Sequence, residues 1–358
     1  MSVYIIAEAG VNHNGSMDLA LKLVDAAVYA KADAVKFQTY IADSLVTASA
    51  KKAKYQADLT GTNENQYTML KRLELSQEQF SELQKYSLKK GIEFLSTAFD
   101  TESLRFLHND LSINTLKIPS GEITNAPFLL EHAITGSDLI VSTGMSELEE
   151  IKAALSVIAY GYLHKASDSF PKMKEFKKAF SSKEGQLLLS KKVTLLHCTS
   201  EYPAPLEEVN LLAMNSMKDE FGLQVGYSDH TKGISVPIAA AALGARIIEK
   251  HFTLDSSMEG PDHNASLEPE ELKLMIENIR SAELALGSNQ KKVTESEFLN
   301  RNAARKSIVA IENIKKGDVL TESNIGIKRP GTGLSPFRYW ETLGTCAHKE
   351  FNIGEDIE

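Results

Sequence analysis

Cysteine is scarce in this 358-residue chain: Cys198 and Cys346 are the only two, far apart and in no metal-ligand spacing. That excludes a disulfide scaffold and a thiolate metal cluster, and it points to a reducing, cytoplasmic setting. Long hydrophobic runs are missing as well. VPIAAAALGA is the longest candidate and falls short of a membrane span. The N-terminal MSVYIIAEAG has no basic segment and meets Glu8 at once, so it does not read as a signal peptide. Positive charge is in deficit, with 39 Lys and Arg against 48 Asp and Glu and a formal net charge of −9. An acidic balance argues against nucleic acid as a partner, and any anionic ligand must meet locally placed lysines and N–H groups.

A 42% hydrophobic and 24% charged composition is ordinary for a globular protein, and the length suggests one large domain plus a small one. Short apolar runs recur along the chain: Tyr4 to Ala7, ending on Glu8; Ala34 to Phe37, with Lys36 inside it; Phe94 to Thr97; Thr115 to Ile118, with Lys117; Leu139 to Thr143; and Val193 to Cys198. Two further runs end at histidines, QVGYSDH at His230 and ARIIEKHF around His251. Between the runs, segments such as DLALKLVDAAVYA and QEQFSELQKYSLKK carry apolar residues at helical spacing, and Ser16 is placed to cap the first of them. Eight such β-α units predict a (β/α)8 TIM barrel over residues 1–286, with its active site at the carboxyl ends of the strands. A doubly wound open sheet is the alternative, weakened because AGVNHNG is not a G-x-G-x-x-G turn.

Two segments break the rhythm. Ala42 to Leu73 is a long polar connection on the active-site face, where such loops act as lids or substrate walls, whereas Tyr160 to Lys192 precedes a strand and is expected on the opposite face as an insertion without a chemical role. Residues 287–304 read as a polar linker or solvated helix. Residues 305–358, with short apolar runs broken by KKGD and IGED turns, read as a small all-β module.

His230 and His251 are the most informative pair. A lone histidine closing a strand is ordinarily a satisfied structural residue, but two imidazoles delivered by consecutive strands to one crevice can share a divalent metal, with carboxylate and water completing its shell.

The motifs AEAGVNHNGS, VKFQTY, FLSTAFD, KIPSGEITN, VSTGM, HCTSEYPAP, GYSDHT, IEKHFTLD, GPDHNASLEP and KRPGTG, in that order, resemble the sialic acid synthases of the bacterial N-acetylneuraminate and N,N′-diacetyllegionaminate type. The resemblance implies a barrel followed by an antifreeze-like (SAF, β-clip) domain, a domain-swapped homodimer, and condensation of phosphoenolpyruvate with an N-acylated mannosamine-type sugar. It also favours Mn²⁺ as the metal, with Mg²⁺ or Co²⁺ as alternatives. EYPAP with EITN looks closer to the legionaminate type. Ser200 departs from the pattern, standing where family members carry Asn or Thr.

Phosphoenolpyruvate needs cations. Lys36 and Lys117, in strands where a core position would be apolar, can supply them, since a buried ammonium requires an anionic partner. The resemblance adds Thr97, Ser120 and Ser142 to that site and assigns Tyr202, Asp262 and Arg329 of a neighbouring subunit to the sugar. Glu8 and Glu122 are suited to positioning water or moving protons, with the division between them open. A metal-dependent barrel aldolase or hydrolase, and a noncatalytic carbohydrate-binding protein, are the competing classes. Neither accounts for both strand lysines and the polar strand ends.

Overall fold

The computed structural model describes residues 2–52, 64–164 and 171–358. Backbone proximity divides the chain into two compact units, Met1–Gly287 and Ser288–Glu358.

In the first unit eight strands close into a barrel in sequence order, each parallel to its neighbours: β1 (Tyr4–Gly10), β2 (Ala34–Thr39), β3 (Glu93–Ala98), β4 (Thr115–Ile118), β5 (Asp138–Ser142), β6 (Val193–His197), β7 (Gln224–Asp229) and β8 (Ile247–His251). All eight expected strands are present, and the open sheet is excluded. Both faces are buried, because successive side chains point alternately outward to the helices and inward to the barrel axis. The outward set, including Ile5, Val35, Phe94, Leu139 and Ile248, packs against helices such as Met17–Ala30 and Pro269–Leu286. The inward set begins with an apolar plug of Ile6, Ala34, Leu95, Ile140, Leu196 and Ile247. Gly226 belongs at this level: a Cβ there would lie 2.4 Å from the Ile247 carbonyl oxygen and 2.7 Å from Leu196 Cδ2, so a larger residue would force the strands apart.

Two residues further along each strand the inward positions turn polar. Ile6 is followed by Glu8, Ala34 by Lys36, Leu95 by Thr97, Ile140 by Ser142 and Ile247 by Glu249, with Lys117 and Ser228 on the same layer from β4 and β7. A period of two thus seals the barrel below and builds a charged floor above.

Ser16 caps the first helix, its Oγ accepting from Leu19 N. Ala42–Leu45 and Gln66–Leu73 are helical, and Met69 and Leu73 join Val11 and Tyr40 in a separate apolar cluster. Residues 53–63 of that connection lie outside the described residues. The lysine-rich stretch before β6 is more structured than its composition suggests. The helix Leu148–Leu163 runs into its start, and the helices Met173–Ser181 and Lys183–Lys192 bury Phe176, Ala179 and Leu189 in the main core. Lysines on the exposed faces hide this apolar spacing, so the described part is barrel packing rather than an appendage; residues 165–170 lie outside the described residues.

In the second unit a helix, Glu295–Ala304, precedes a two-stranded antiparallel sheet of β9 (Ser307–Ala310) and β10 (Ile325–Lys328). Bridges such as Ile314 with Phe351 and Val319 with Cys346 extend the pairing. The core is small: Ile308, Ala310, Ile314, Leu320, Ile325, Ala347, Phe351 and Ile357. Regular strand is shorter here than the sequence pattern suggests, because the KKGD and IGED turns interrupt each run. Among the described residues no helix is long and apolar enough to cross a membrane.

Candidate active site

A cavity of about 420 Å³ opens above the charged floor, at the carboxyl ends of the strands. Its base is a four-member ion-pair cluster. Lys36 Nζ lies 2.7 Å from Glu8 Oε2 and 3.5 Å from Glu249 Oε2, and it donates to Thr97 Oγ1 at 2.9 Å. Lys117 Nζ lies 2.9 Å from Glu249 Oε1. Ser228 Oγ donates to the same oxygen at 2.9 Å, and Gln38 Nε2 reaches Glu8 Oε1 at 3.4 Å. All four charged side chains are buried. Two ammonium groups and two carboxylates balance, which is how an acidic barrel holds cations in its interior.

The cluster splits the two acids. Burial opposes ionisation of Glu249, but Lys117 and Lys36 outweigh it and hold this carboxyl well below the usual carboxylate range. Burial pushes Glu8 up to about 7, offset in part by Lys36 and reinforced by the negative charge of Glu249. Burial likewise depresses the Lys117 ammonium against the pull of Glu249, whereas Glu249 and Glu8 together overcome the burial of Lys36 and raise it.

Beside the floor the two histidine rings stand with centroids 5.7 Å apart, and the Tyr202 ring lies 4.1 Å from His230 and 5.6 Å from His251. His230 Nδ1 is 2.6 Å from the Thr199 carbonyl oxygen, an acceptor only, so the proton sits on Nδ1 and the Nε2 lone pair is available. Burial lowers His230 to about 4, and burial together with His230 lowers His251 well below the usual histidine range. His251 Nδ1 is buried without a hydrogen-bond partner among the described residues. Two neutral imidazoles, one fixed by a backbone carbonyl, fit a divalent ion whose remaining positions are taken by water or substrate oxygen. No third His, Cys, Asp or Glu completes a metal-binding group among the described residues. Behind this face, Lys250 pairs with Asp229 at 2.6 Å, both fully buried, and also donates to the Thr231 carbonyl, tying together the strands that carry the histidines.

Glu8, Lys36, Thr97, Lys117, Ser120, Ser142, Tyr202, His230, His251 and Asp262 all line the one cavity. Ser120 Oγ accepts from Gly144 N at 3.0 Å, joining the ends of β4 and β5. Asp262 is buried and pushed up to about 6 by desolvation, and no hydrogen bond to its carboxylate occurs among the described residues. One expected residue of this unit stands elsewhere. Glu122 ends a short 3-10 turn, Ser120–Glu122, and its Oε2 accepts from Asn125 Nδ2 at 2.7 Å, so it is not part of the lining. Arg329 belongs to the second unit, exposed immediately after β10.

Sequence reasoning missed Glu249, Ser228 and Gln38. For Glu249 the signal was present in IIEKH, where residues 249 and 251 share a strand face. The connection after β2 does wall the cavity, as expected, but its apolar character was not foreseen: Leu45, Val46, Met69 and Leu70 line it together with Phe99 and Met145.

The chain matches the NeuB family over residues 23–291 and the SAF domain over residues 305–355. It is 48% identical to an N,N′-diacetyllegionaminic acid synthase of Campylobacter jejuni, covering 99% of this chain and 98% of that protein. It is 45% identical to a synthase of the same name from Legionella pneumophila, covering 100% and 94%. Among solved structures, an N-acetylneuraminic acid synthetase from Leptospira borgpetersenii in complex with citrate superposes with a TM-score of 0.66 at 34% identity, covering 84% of this chain and 90% of that one.

Proposed function

The chain belongs to the NeuB family, and on that premise we propose that it is a nonulosonate synthase that joins phosphoenolpyruvate to an open-chain N-acylated amino sugar and releases phosphate. The new bond links C3 of phosphoenolpyruvate to the aldehyde carbon. Water adds at C2, the C2–O bond to phosphate breaks, and a 2-keto acid remains.

The ion-pair floor is the observation that carries this reading. Lys36 and Lys117 are the buried cations a doubly anionic substrate needs, and Thr97, Ser120 and Ser142 add hydroxyl donors. Until that substrate binds, Glu8 and Glu249 neutralise the lysines. Glu8, poised near neutrality, suits transfer of the proton that reaches the new hydroxyl or leaves the attacking water. Glu249 stays ionised and orients Lys117. Glu122 lies one residue beyond the lining Gly121, held by Asn125. His230 and His251 would hold the divalent metal, with manganese first and Mg²⁺ or Co²⁺ next. When bound, such an ion supplies Lewis acidity to the sugar aldehyde.

Asp262 and Tyr202 serve the sugar, and Arg329 reaches its N-acyl carbonyl from a second subunit of a swapped homodimer. The apolar wall favours a sugar with a methyl group at C6 and a second acetamido group, the 2,4-diacetamido-2,4,6-trideoxymannose that yields N,N′-diacetyllegionaminate. A hydroxyl-rich N-acetylmannosamine would leave that wall without apolar contact. The buried Cys198 and exposed Cys346, both free thiols, suit the cytoplasm. Phosphate release assayed with each sugar tests the assignment. A higher kcat/KM for the diacetamido sugar is expected, and a preference for N-acetylmannosamine would contradict it.

A further inference from the structure

The turn after β1, GVNHNGS, lies beside the active site but supplies only Val11 to the cavity lining, and its polar side chains have no part in the chemistry above. They reach instead to the segment after β8. Asn12 Nδ2 donates to the Phe252 carbonyl at 2.8 Å and to Ser266 Oγ at 2.9 Å. Asn14 Nδ2 donates to the Glu259 carbonyl at 3.0 Å, and Asn14 Oδ1 lies 3.2 Å from His263 Nε2. The other ring nitrogen of His263 lies 2.6 Å from Thr253 Oγ1. Ser266 Oγ in turn donates to the Asp262 carbonyl at 2.7 Å.

The fit around these contacts is tight. A Cβ on Gly260 would lie 2.5 Å from His263 Cδ2 and 2.9 Å from Asn14 Oδ1, so this glycine lets the backbone close over the ring. Asn12, Thr253, His263 and Ser266 are buried. At the centre of the clasped segment sits Asp262, its carboxylate in the cavity with no protein donor among the described residues to fix it. Its position therefore depends on the backbone, and the backbone is held from the far side of β1.

We infer that Asn12, Asn14 and His263 are positioning residues, a clasp that fixes the 253–266 segment so that Asp262 meets the sugar. This rests on the assignment of Asp262 to the sugar proposed above. A carboxylate displaced by a fraction of an ångström loses its hydroxyl contact, whereas Lys36 and Lys117, on strands, do not move with the segment.

Asn14→Gly is the most informative variant. Asn14 is only partly buried and has φ of 51°, which glycine adopts freely, so the clasp is cut without backbone strain. Expected are a KM for the sugar raised on the order of 10-fold, an almost unchanged KM for phosphoenolpyruvate, and faster amide hydrogen exchange over residues 255–266. Asn14→Asp keeps the oxygen that faces His263 but loses the donor to the Glu259 carbonyl, so it should restore the sugar KM only in part. His263→Ala should reproduce the Asn14→Gly pattern. Equal changes in both KM values, or faster exchange with an unchanged sugar KM, would overturn the inference. Wild-type protein that releases no phosphate with any sugar would instead defeat the function proposed above. The clasp would still be judged by exchange, and rates unaltered in both variants would overturn it.

Discussion

Lys117 on β4 and Glu249 on β8 meet across the barrel axis, with Nζ 2.9 Å from Oε1 and 3.2 Å from Oε2, although 132 residues separate them in the chain. Glu249 also faces Lys36, so one carboxylate restrains both cations of the floor. Removing it leaves two buried ammonium groups with Glu8 as their remaining carboxylate. Glu249→Gln should lower unfolding stability by about 3 to 5 kcal/mol, the usual cost of breaking a buried pair. Glu249→Gln combined with Lys117→Met should recover a large part of that loss. Urea denaturation of the single and double variants measures the coupling, and strictly additive effects would show that the pair is not linked.

The floor and the mouth of the cavity should separate in kinetics. If Lys117 binds phosphoenolpyruvate as proposed, Lys117→Ala removes a charge-assisted contact of about 1.5 to 3 kcal/mol and should raise the KM for that substrate far more than for the sugar. Asp262→Ala should do the reverse. Initial-rate measurements with each substrate varied in turn decide it, and equal effects on both constants would refute the partition.

Stability should fall in mild acid through a residue remote from the cavity. His132, in the helix Ala126–Ile134, is buried, and desolvation lowers it to about 4 against an unfolded value near 6.5. The unfolded chain therefore binds this proton first, so the contribution is complete above pH 6.5 and declines as pH drops toward 4. Between pH 7 and pH 5 the loss from this one ring amounts to about 2 kcal/mol. Replacing the ring by a neutral amide, His132→Gln, should flatten that part of the profile in denaturation series at the two pH values, and an unchanged slope would contradict the assignment.

Arg329 offers a test of assembly. If a second subunit completes each barrel, His230→Ala and Arg329→Ala chains should complement one another. Random pairing makes half the dimers mixed, each with one intact site of two, so roughly a quarter of wild-type activity should return while each parent is nearly inactive. Verified mixed dimers without activity would mean that Arg329 serves its own barrel, and an Arg329→Ala parent with full activity would mean that it serves no site.

Most of the barrel was legible because its period of two is written into the strands. Lys36 and Lys117 stood out as charges within apolar runs, and His230 and His251 as polar ends of two consecutive ones. Glu249 was overlooked beside the more conspicuous His251, although the same alternation points both inward. Side chains beyond the strands were harder to place. Glu122 ends a tight 3-10 turn, where no period fixes direction, and its carboxylate accepts from Asn125. The apolar wall combines Leu45 and Val46 with Met69 and Leu70, residues brought together by helices whose polar composition hid them. The lysine-rich helices before β6 concealed Phe176 and Leu189 in the same way.

The most direct measurement is inorganic phosphate released from phosphoenolpyruvate by the metal-loaded protein, with and without the diacetamido sugar, and again after chelation. Phosphate should appear only with both substrates present, in step with 2-keto acid formation, should stop on chelation, and should return when manganese is restored. Phosphate released at the same rate without sugar, or at the full rate in excess chelator with no metal found by elemental analysis, would contradict the condensation or the role of the histidine pair respectively.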